Sequence, residues 1–456
     1  MKTIQFMALA IGAATALGLG AQGSAALAQV TPQEADQLKS TLMPTGGERA
    51  GSADGLVPAW TGGFVLPLAK PDGRNNADPF ANEKPLFIVT ASNVNQYADK
   101  LNEGQIHLLK HYPGYKINVY PSHRTYAAPQ RIYDGTLKCA TEVGMATNDW
   151  VPKKGCGGIL FPIPKTGSQV ITNAKFNFKG VDRQLVNATT WYVSSDGSRT
   201  VATGNNVDET FPWFYPSDRP DPYGGKFYDL AYVLTTAPPF SAGGASLFLF
   251  PGDDIAINDV AWQYLTGQRR LRKYPSARYD TPFPYTSGLT NFDDTNGFQG
   301  PIDRYNWKLV GKKEFIVPYN NNKFWLQSDL DKLFGAKYPD PEAMRWEVHR
   351  VWVVDATLRD GQRHVVPHRT LYVDEDSWTV SASDQWDADG HLWKTALGLV
   401  EIFPEVPVVA QVTQQYFDIQ KGAYVIFNTM NQGGVTFKSL SPSHFTNQAL
   451  VSENAS

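Results

Sequence analysis

The sequence predicts a mainly β protein: one large, curled antiparallel sheet, an unclosed half-barrel, with a few helices plugging or flanking its concave face. Three observations lead there. A 12% aromatic share together with 31 prolines and 39 glycines favours strands and long loops over a helical bundle. From residue 346 onward, apolar residues recur with the two-residue period of strands whose side chains alternate between faces. Such stretches outnumber the roughly ten strands at which a twisted open sheet must curl or fold over to bury its apolar side.

Residues 1–28 read as a secretory signal: Lys2, then FMALAIGAATALGLG, then the small-residue site Ala26-Leu27-Ala28, with cleavage expected after Ala28. Residue 29 is Gln rather than Cys, so no lipid anchor is expected there. No later apolar run approaches the roughly 18 residues a spanning helix needs, and the expected product is an exported, soluble chain. Residues 29–63 are expected to form an arm ahead of a single domain over 64–456. Within the arm, ERAGSADGLVPAWTGG (48–63) is too rich in glycine for a helix and has Trp60 as its one large apolar group. Trp60 is read either as a plug tying the arm to the body or as part of a ligand-contacting loop, the former being the commoner use of such an anchor.

Helices are expected over 31–42, 91–112, 168–176 and 328–335, only the second of them long. The segment CATEVGMATNDWVPKKGC reads as a polar loop, and its Cys139 and Cys156 are expected to form a disulfide in an oxidising compartment. A metal pair is the rival reading, but there is no C-x-x-C arrangement and no histidine between them. Three hairpins are expected in the middle of the chain: ATTWYVSS and SRTVAT around Asp196-Gly197, 261–275 turning at Thr266-Gly267, and 304–320 turning near Gly311-Lys312. The stretches 346–358, 364–373, 378–386, 391–400, 408–417 and 423–427 then read as a six-strand meander. In 378–386, Trp378, Val380, Ala382 and Trp386 stand opposite Thr379, Ser381 and Ser383, so one face is expected to be apolar and the other wet.

A net charge of -3 gives no field for nucleic acid or an anionic surface. H-E-x-x-H, G-x-S-x-G and the phosphate-cradling glycine loop are all missing from the sequence. His364 and His368 would lie about 13 Å apart along one strand, too far to share a metal. His107 and His111 read as a surface pair, Asp387-Ala388-Asp389-Gly390 as a hairpin turn, and Asp253-Asp254 and Asp293-Asp294 as solvated turns. No catalytic group, cofactor or metal site is therefore expected. The cluster with most ligand character is GQRRLRKYP, where Arg270 and Arg272 share a strand face just after Trp262 and Tyr264. It suits an anionic head group, or equally an edge strand whose charges prevent sheet-to-sheet aggregation.

The motifs LMPTGGERAGSADGLVPAWTGG, CGGILFPIPKTG, WQYLTGQRRLRKYP and DRYNWKLVGKKEFIVPYN carry a resemblance over residues 40–440. Through them the chain resembles a family of exported bacterial proteins of unknown function, outer-membrane lipoprotein-sorting-like and related to LolA and LolB. The resemblance implies an unclosed antiparallel barrel plugged by helices, a hydrophobic cavity for acyl chains, and the periplasm of a Gram-negative cell. It also implies an envelope exporter or outer-membrane protein as partner. Two functional readings follow. In one, the protein carries or chaperones a lipophilic molecule (a lipid, an acyl chain or a lipoprotein). Strand parity nominates Trp262, Tyr264, Tyr305, Trp307, Trp352 and Trp378 as its lining, with Arg270 and Arg272 for a head group. In the other, it is a non-catalytic structural or adaptor protein with a self-filled core that docks an envelope partner. An apolar cavity would favour the first and a solid core the second.

Overall fold

Two short strands, β1 (Phe87–Val89) and β2 (Ile117–Val119), precede two consecutive meanders. The first runs through β3 (Asp182–Val193), β4 (Arg199–Thr210), β5 (Phe227–Ala237), β6 (Ala245–Pro251), β7 (Val260–Leu265) and β8 (Arg270–Lys273). The second runs through β9 (Tyr305–Pro318), β10 (Trp346–Leu358), β11 (His368–Asp374), β12 (Val380–Trp386), β13 (Leu392–Phe403), β14 (Val408–Asp418) and β15 (Ala423–Thr429), followed by β16 (Gly434–Thr436). This computed structural model describes residues 30–65, 78–145, 155–257, 260–274, 277–404 and 406–454; the expected signal segment and its cleavage site lie outside them. None of the described helices is long and apolar enough to cross a membrane.

The meanders join into one 16-stranded sheet because β15, at the end of the second, pairs with β3, at the start of the first. Pairing is antiparallel throughout, apart from the single Trp346↔Val119 contact of β10 with β2. Among the described residues β8 pairs only with β7, and β9 only with β10, so the sheet is large and unclosed as expected. The two edge strands are consecutive in sequence. The segment between them, residues 277–304 of which are described, therefore crosses the sheet from one edge to the other; it is called the strap below.

Both faces of the sheet are covered. One face packs against helices α2 (Glu103–His111) and α3 (Gln130–Glu142) and the loops around them, bringing Leu108, Leu109 and Ile132 into the same core as Phe315, Val351 and Leu397, while α1 (Pro32–Ala35) lies against α3 through Ala35 and Ala140. Helices α5 (Asn322–Leu326) and α6 (Leu330–Leu333) add Phe324 and Leu333 to that core. The opposite face packs against α4 (Gly167–Lys175), whose residues are all buried, and against the strap. Under α7 (Asn447–Ser452), Leu450 meets Tyr264 and Leu247.

Several expectations need correction. The stretch 304–320 is not a hairpin: β9 pairs with β10 along its whole length, and the irregularity at Gly311 is absorbed as a bulge opposite Val353/Val354. The stretch 91–112 is not one helix, because Asn102 caps α2 with a reciprocal Gln105 bond and leaves only 3₁₀ turns before it. The longest described helix is α3, which was not expected; only its last turn, from Cys139, falls in the segment read as a loop. The disulfide of Cys139 to Cys156 is present, with Cα atoms 5.6 Å apart. Strand β11 begins at His368, so His364 precedes it, and Trp378 sits in the β11–β12 turn with φ of 59° rather than in a strand. The expected wet face is also wrong. Ser381, Ser383, Thr395, Thr413 and Gln415 are buried, because both faces of the sheet are covered: Thr395 lies against Gly104 of α2, Thr413 accepts from Trp325 Nε1–H at 2.8 Å, and Ser383 stands opposite Ala396, which packs with Leu289 of the strap.

The glycine-rich arm is ordered. Ser52 N–H donates to Val57 O at 2.8 Å and Trp60 N–H to Arg49 O at 2.9 Å, folding the segment back on itself. Trp60 is buried, donates Nε1–H to Tyr126 O at 3.1 Å, and lies 5.0 Å beneath the Arg49 guanidinium. Glycine is required at 63, where the φ of 81° is left-handed and a Cβ would strike the Tyr126 carbonyl. Lys312 clamps the arm by bonding Glu48 Oε1 at 2.9 Å and Glu375 Oε2 at 2.8 Å. The β11–β12 turn supplies Glu375, and its buried acids are matched by basic groups from elsewhere in the chain. Arg124 reaches Asp376 at 2.6 Å. Burial would lower the His349 pKa, but bonds to Asp374 and Glu347 carry it up to about 9.

Trp60→Ala is expected to cost about 3 kcal/mol, as other large-to-small core changes do. Denaturant unfolding measures the loss, and hydrogen exchange over residues 45–65 should turn from slow to fast. Fast exchange already present in the wild type would contradict a packed arm.

Candidate functional site

Four adjacent strands of the first meander turn one row of side chains each toward the strap. Leu185 on β3, Val207 on β4, Ala231 and Val233 on β5, and Phe248 on β6 form an apolar wall. Two-residue alternation puts Leu230 and Leu247 on the other side, under α7. The strap returns Phe283, Tyr285 and Phe292 over the wall, with Phe283 and Phe292 ring centroids 5.0 Å apart. Between wall and strap lies a cavity with about 930 Å³ of empty space, counted out to its mouth in solvent.

One part of the lining is polar. Arg183 on β3 stands opposite Glu209 on β4 and bonds it, while Asp229 at the start of β5 accepts from Lys179 at 3.2 Å. All are buried or nearly so. Burial pushes the Asp229 carboxyl upward despite Lys179; it also opposes ionisation of Glu209, but Arg183 pulls that carboxyl below its ordinary value. Three polar atoms here have no hydrogen-bond partner among the described residues: Arg183 Nη1, Asp229 Oδ1 and, on the strap, Asp293 Oδ1.

The strap is pinned by charge. Asp293 and Asp294, expected to be solvated, are buried. Arg369 on β11 reaches Asp293 at 3.2 Å and Asp294 at 3.5 Å, His364 Nε2 lies 2.9 Å from Asp293 Oδ2, and Gln385 donates to Asp294 at 2.7 Å. Burial alone would raise the Asp293 pKa; Arg369 and His364 beside it hold the carboxyl below the usual range. Lys394 Nζ caps Leu289 O at 2.6 Å, Gln414 accepts from Asn296 N–H at 2.9 Å, and a Cβ at Gly297 would collide with Val380. Asp254 is buried against Lys175 as well, and only Asp253 of that pair is exposed.

None of the residues nominated by parity lines this cavity. Tyr305, Trp307, Trp352 and Trp378 come together elsewhere on the same face, packed against Val170 and Ile171 of α4. Three of their polar edges are used internally: Trp307 Nε1–H donates to Ile302 O at 2.8 Å, Trp378 Nε1–H to Thr45 O at 3.0 Å, and Tyr305 O–H to Val366 O at 2.7 Å, whereas Trp352 Nε1 has no hydrogen-bond partner among the described residues. Trp262 and Tyr264 face α7. Arg270 and Arg272 project into solvent from β8, an edge strand. Of the dismissed groups, His107 and His111 stack with centroids 4.1 Å apart, and Asp387, Asp389 and His391 share an exposed turn.

A family model described as "Protein of unknown function (DUF1329)" matches residues 88–451. The chain belongs to the DUF1329 family. The uncharacterized protein PA3922 of Pseudomonas aeruginosa is 34% identical over 444 residues, which is 96% of this chain and 97% of the relative. A domain from Vibrio parahaemolyticus, described as a putative outer membrane lipoprotein-sorting protein domain, covers 63% of this DUF1329 chain and 98% of its own, at 14% identity and a TM-score of 0.42. The LolA superfamily protein NE2245 of Nitrosomonas europaea covers 63% of this chain and all of its own, 100%, at 10% identity and a TM-score of 0.37. At that level of superposition neither neighbour transfers a ligand or a residue role to this DUF1329 member.

Arg369→Met should strand two buried carboxylates and cost about 3–5 kcal/mol, because removing one partner of a buried ion pair leaves the other uncompensated. The Asp293 pKa is depressed in the folded state, so the stability this pair supplies is fully present above the ordinary carboxylate pKa and is lost as pH falls below it and through the depressed folded value. Denaturation of both proteins at pH 7 and pH 3 checks this: the wild-type advantage should shrink at the lower pH.

Proposed function

We propose that this protein is a non-catalytic periplasmic carrier or chaperone that holds a lipophilic molecule in the cavity beneath the strap. The observation that carries the reading is the cavity itself, walled by aliphatic and aromatic side chains from β3–β6 and roofed by the strap aromatics. Burial of an alkyl chain against such a wall is favourable by about 25 cal/mol per Å². The Cys139–Cys156 disulfide supports an oxidising, exported location. Among the cavity's charged groups, Arg183 is engaged with Glu209, Asp229 with Lys179 and Asp293 with Arg369, which supports binding over catalysis. A second reading, an adaptor with a self-filled core, draws on the α4 half of the same face, where Trp307 and Trp378 are buried in one cluster with Val170 and Ile171.

Ala231 sits in the wall, so Ala231→Trp should fill the cavity from a strand already buried. Native mass spectrometry of freshly purified protein should detect lipid bound to the wild type and none bound to the variant. The thermal transition of the variant should stay within a few degrees. A wild type that carries and takes up no alkyl ligand, or a folded variant that binds as well as the wild type, would overturn the carrier reading in favour of the adaptor.

A further inference from the structure

The β5–β6 and β7–β8 hairpins end side by side at one corner of the sheet, and neither tip lines the cavity. A Cβ on Gly243 of the first tip would stand 3.3 Å from the Thr266 hydroxyl of the second. Phe240 crowns the first tip and is 92% exposed, more than any other large apolar side chain among the described residues. The backbone beneath it is held in place. Pro238 O accepts from Ser241 N–H at 3.0 Å and from Ala242 N–H at 3.1 Å, and Gly243 N–H donates to Thr235 O at 2.9 Å. Pro238 and Pro239 fix their own φ angles as well. The fold therefore presents the ring to solvent, forgoing the free energy that burying it would release.

The second tip and the edge strand it opens supply charge. Arg269, Arg270, Arg272 and Lys273 are exposed, and none of them is in an ion pair among the described residues. Residues 234–245 and 262–273 hold no Asp or Glu, so the corner collects cations without anions in a chain whose net charge is -3. That net charge gives no long-range pull toward an anionic surface, and the cluster acts locally, within a Debye length of about 8 Å. Alternation sends Arg270 and Arg272 to one face of β8 and Leu271 and Lys273 to the other, so the charge surrounds the edge. Protection of an edge strand accounts for the cations. It does not account for an uncovered phenylalanine fixed beside them. An anionic lipid surface accounts for both, because guanidinium groups bond phosphate oxygens in pairs, cations gain from the negative surface potential, and an aromatic ring reaching past the phosphates enters the apolar boundary.

We propose that this corner docks the protein on an anionic phospholipid bilayer, with Phe240 inserted below the head groups and Arg269, Arg270, Arg272 and Lys273 on the lipid phosphates. One ring and a few surface charges supply far less than a spanning helix, so the docking is reversible. It does not depend on what the cavity holds.

Flotation of the full mature chain with vesicles at pH 7 tests this, using phosphatidylcholine alone and an equimolar mixture with phosphatidylglycerol. The wild type should float with the mixed vesicles and not with the neutral ones, and salt of about 0.5 M should release it. Phe240→Ser and, separately, Arg270→Gln with Arg272→Gln should each lower the ratio of bound to free protein about tenfold. All three side chains are exposed, so the thermal transition should not move. A polarity-sensitive dye on Phe240→Cys should shift its emission to the blue when mixed vesicles are added; Cys139 and Cys156 are joined to each other and leave it the single reactive thiol. A wild type that floats with neither preparation, or binding that Phe240→Ser leaves unchanged, overturns the proposal. So does an arginine variant that floats as well as the wild type but self-associates, which assigns the charges to guarding the edge strand.

Discussion

Much of this architecture depends on one topological constraint: the sheet's two edges, β8 and β9, are neighbours in sequence. With β15 paired to β3, the chain leaving β8 can reach β9 only by crossing the sheet. The crossing segment carries aromatics where it passes β5 and β6, Leu289 where it passes β13–β15, and Phe298 and Ile302 where it reaches the α4 half. It stays down because Arg369 holds Asp293 and Asp294 at a site where all three are buried. Such a cluster is an expensive way to hold a loop, since desolvation offsets much of the attraction. It does, however, fix one position along the sheet, which an apolar contact alone would leave free to slide.

The same face is thus divided in two. On β9–β12, helix α4 fills the space with Val170 and Ile171 against Tyr305, Trp307 and Trp378, all of them buried. On β3–β6, the strap bridges the wall with backbone turns and widely spaced aromatics, leaving open space. The carrier and adaptor readings drawn from the sequence each describe one half.

How far the sequence revealed this can be traced to particular residues. The six-strand meander β10–β15 was legible because its alternation is regular and its turns carry Asp-Gly pairs. The parity of aromatic residues was legible too, but parity says which residues share a face and nothing about what covers that face. Trp307 and Trp378 therefore looked like a lining when they are the floor beneath α4. The cavity wall escaped notice because FYDLAYVLTTA and ASLFLF, which form β5 and β6, are apolar on both faces and read as continuous runs rather than alternation. Asp293-Asp294 looked like a loop tip because acidic pairs among Gly and Asn usually are. Their partner Arg369 lies more than seventy residues away, and local pattern cannot reveal that pairing. The missed helix α3 did leave a signal, with Ile132, Thr136, Cys139 and Ala140 at helical spacing and all buried.

The central claim is that an alkyl chain lies between the β3–β6 wall and the strap. It is tested most directly by photo-crosslinking a diazirine-bearing alkyl ligand to the full chain, followed by peptide mapping. The account predicts label on β4–β6 and on the strap around Phe283 to Phe292. Label on the tryptophan cluster under α4, or scattered over exposed loops with none on the wall, would contradict it.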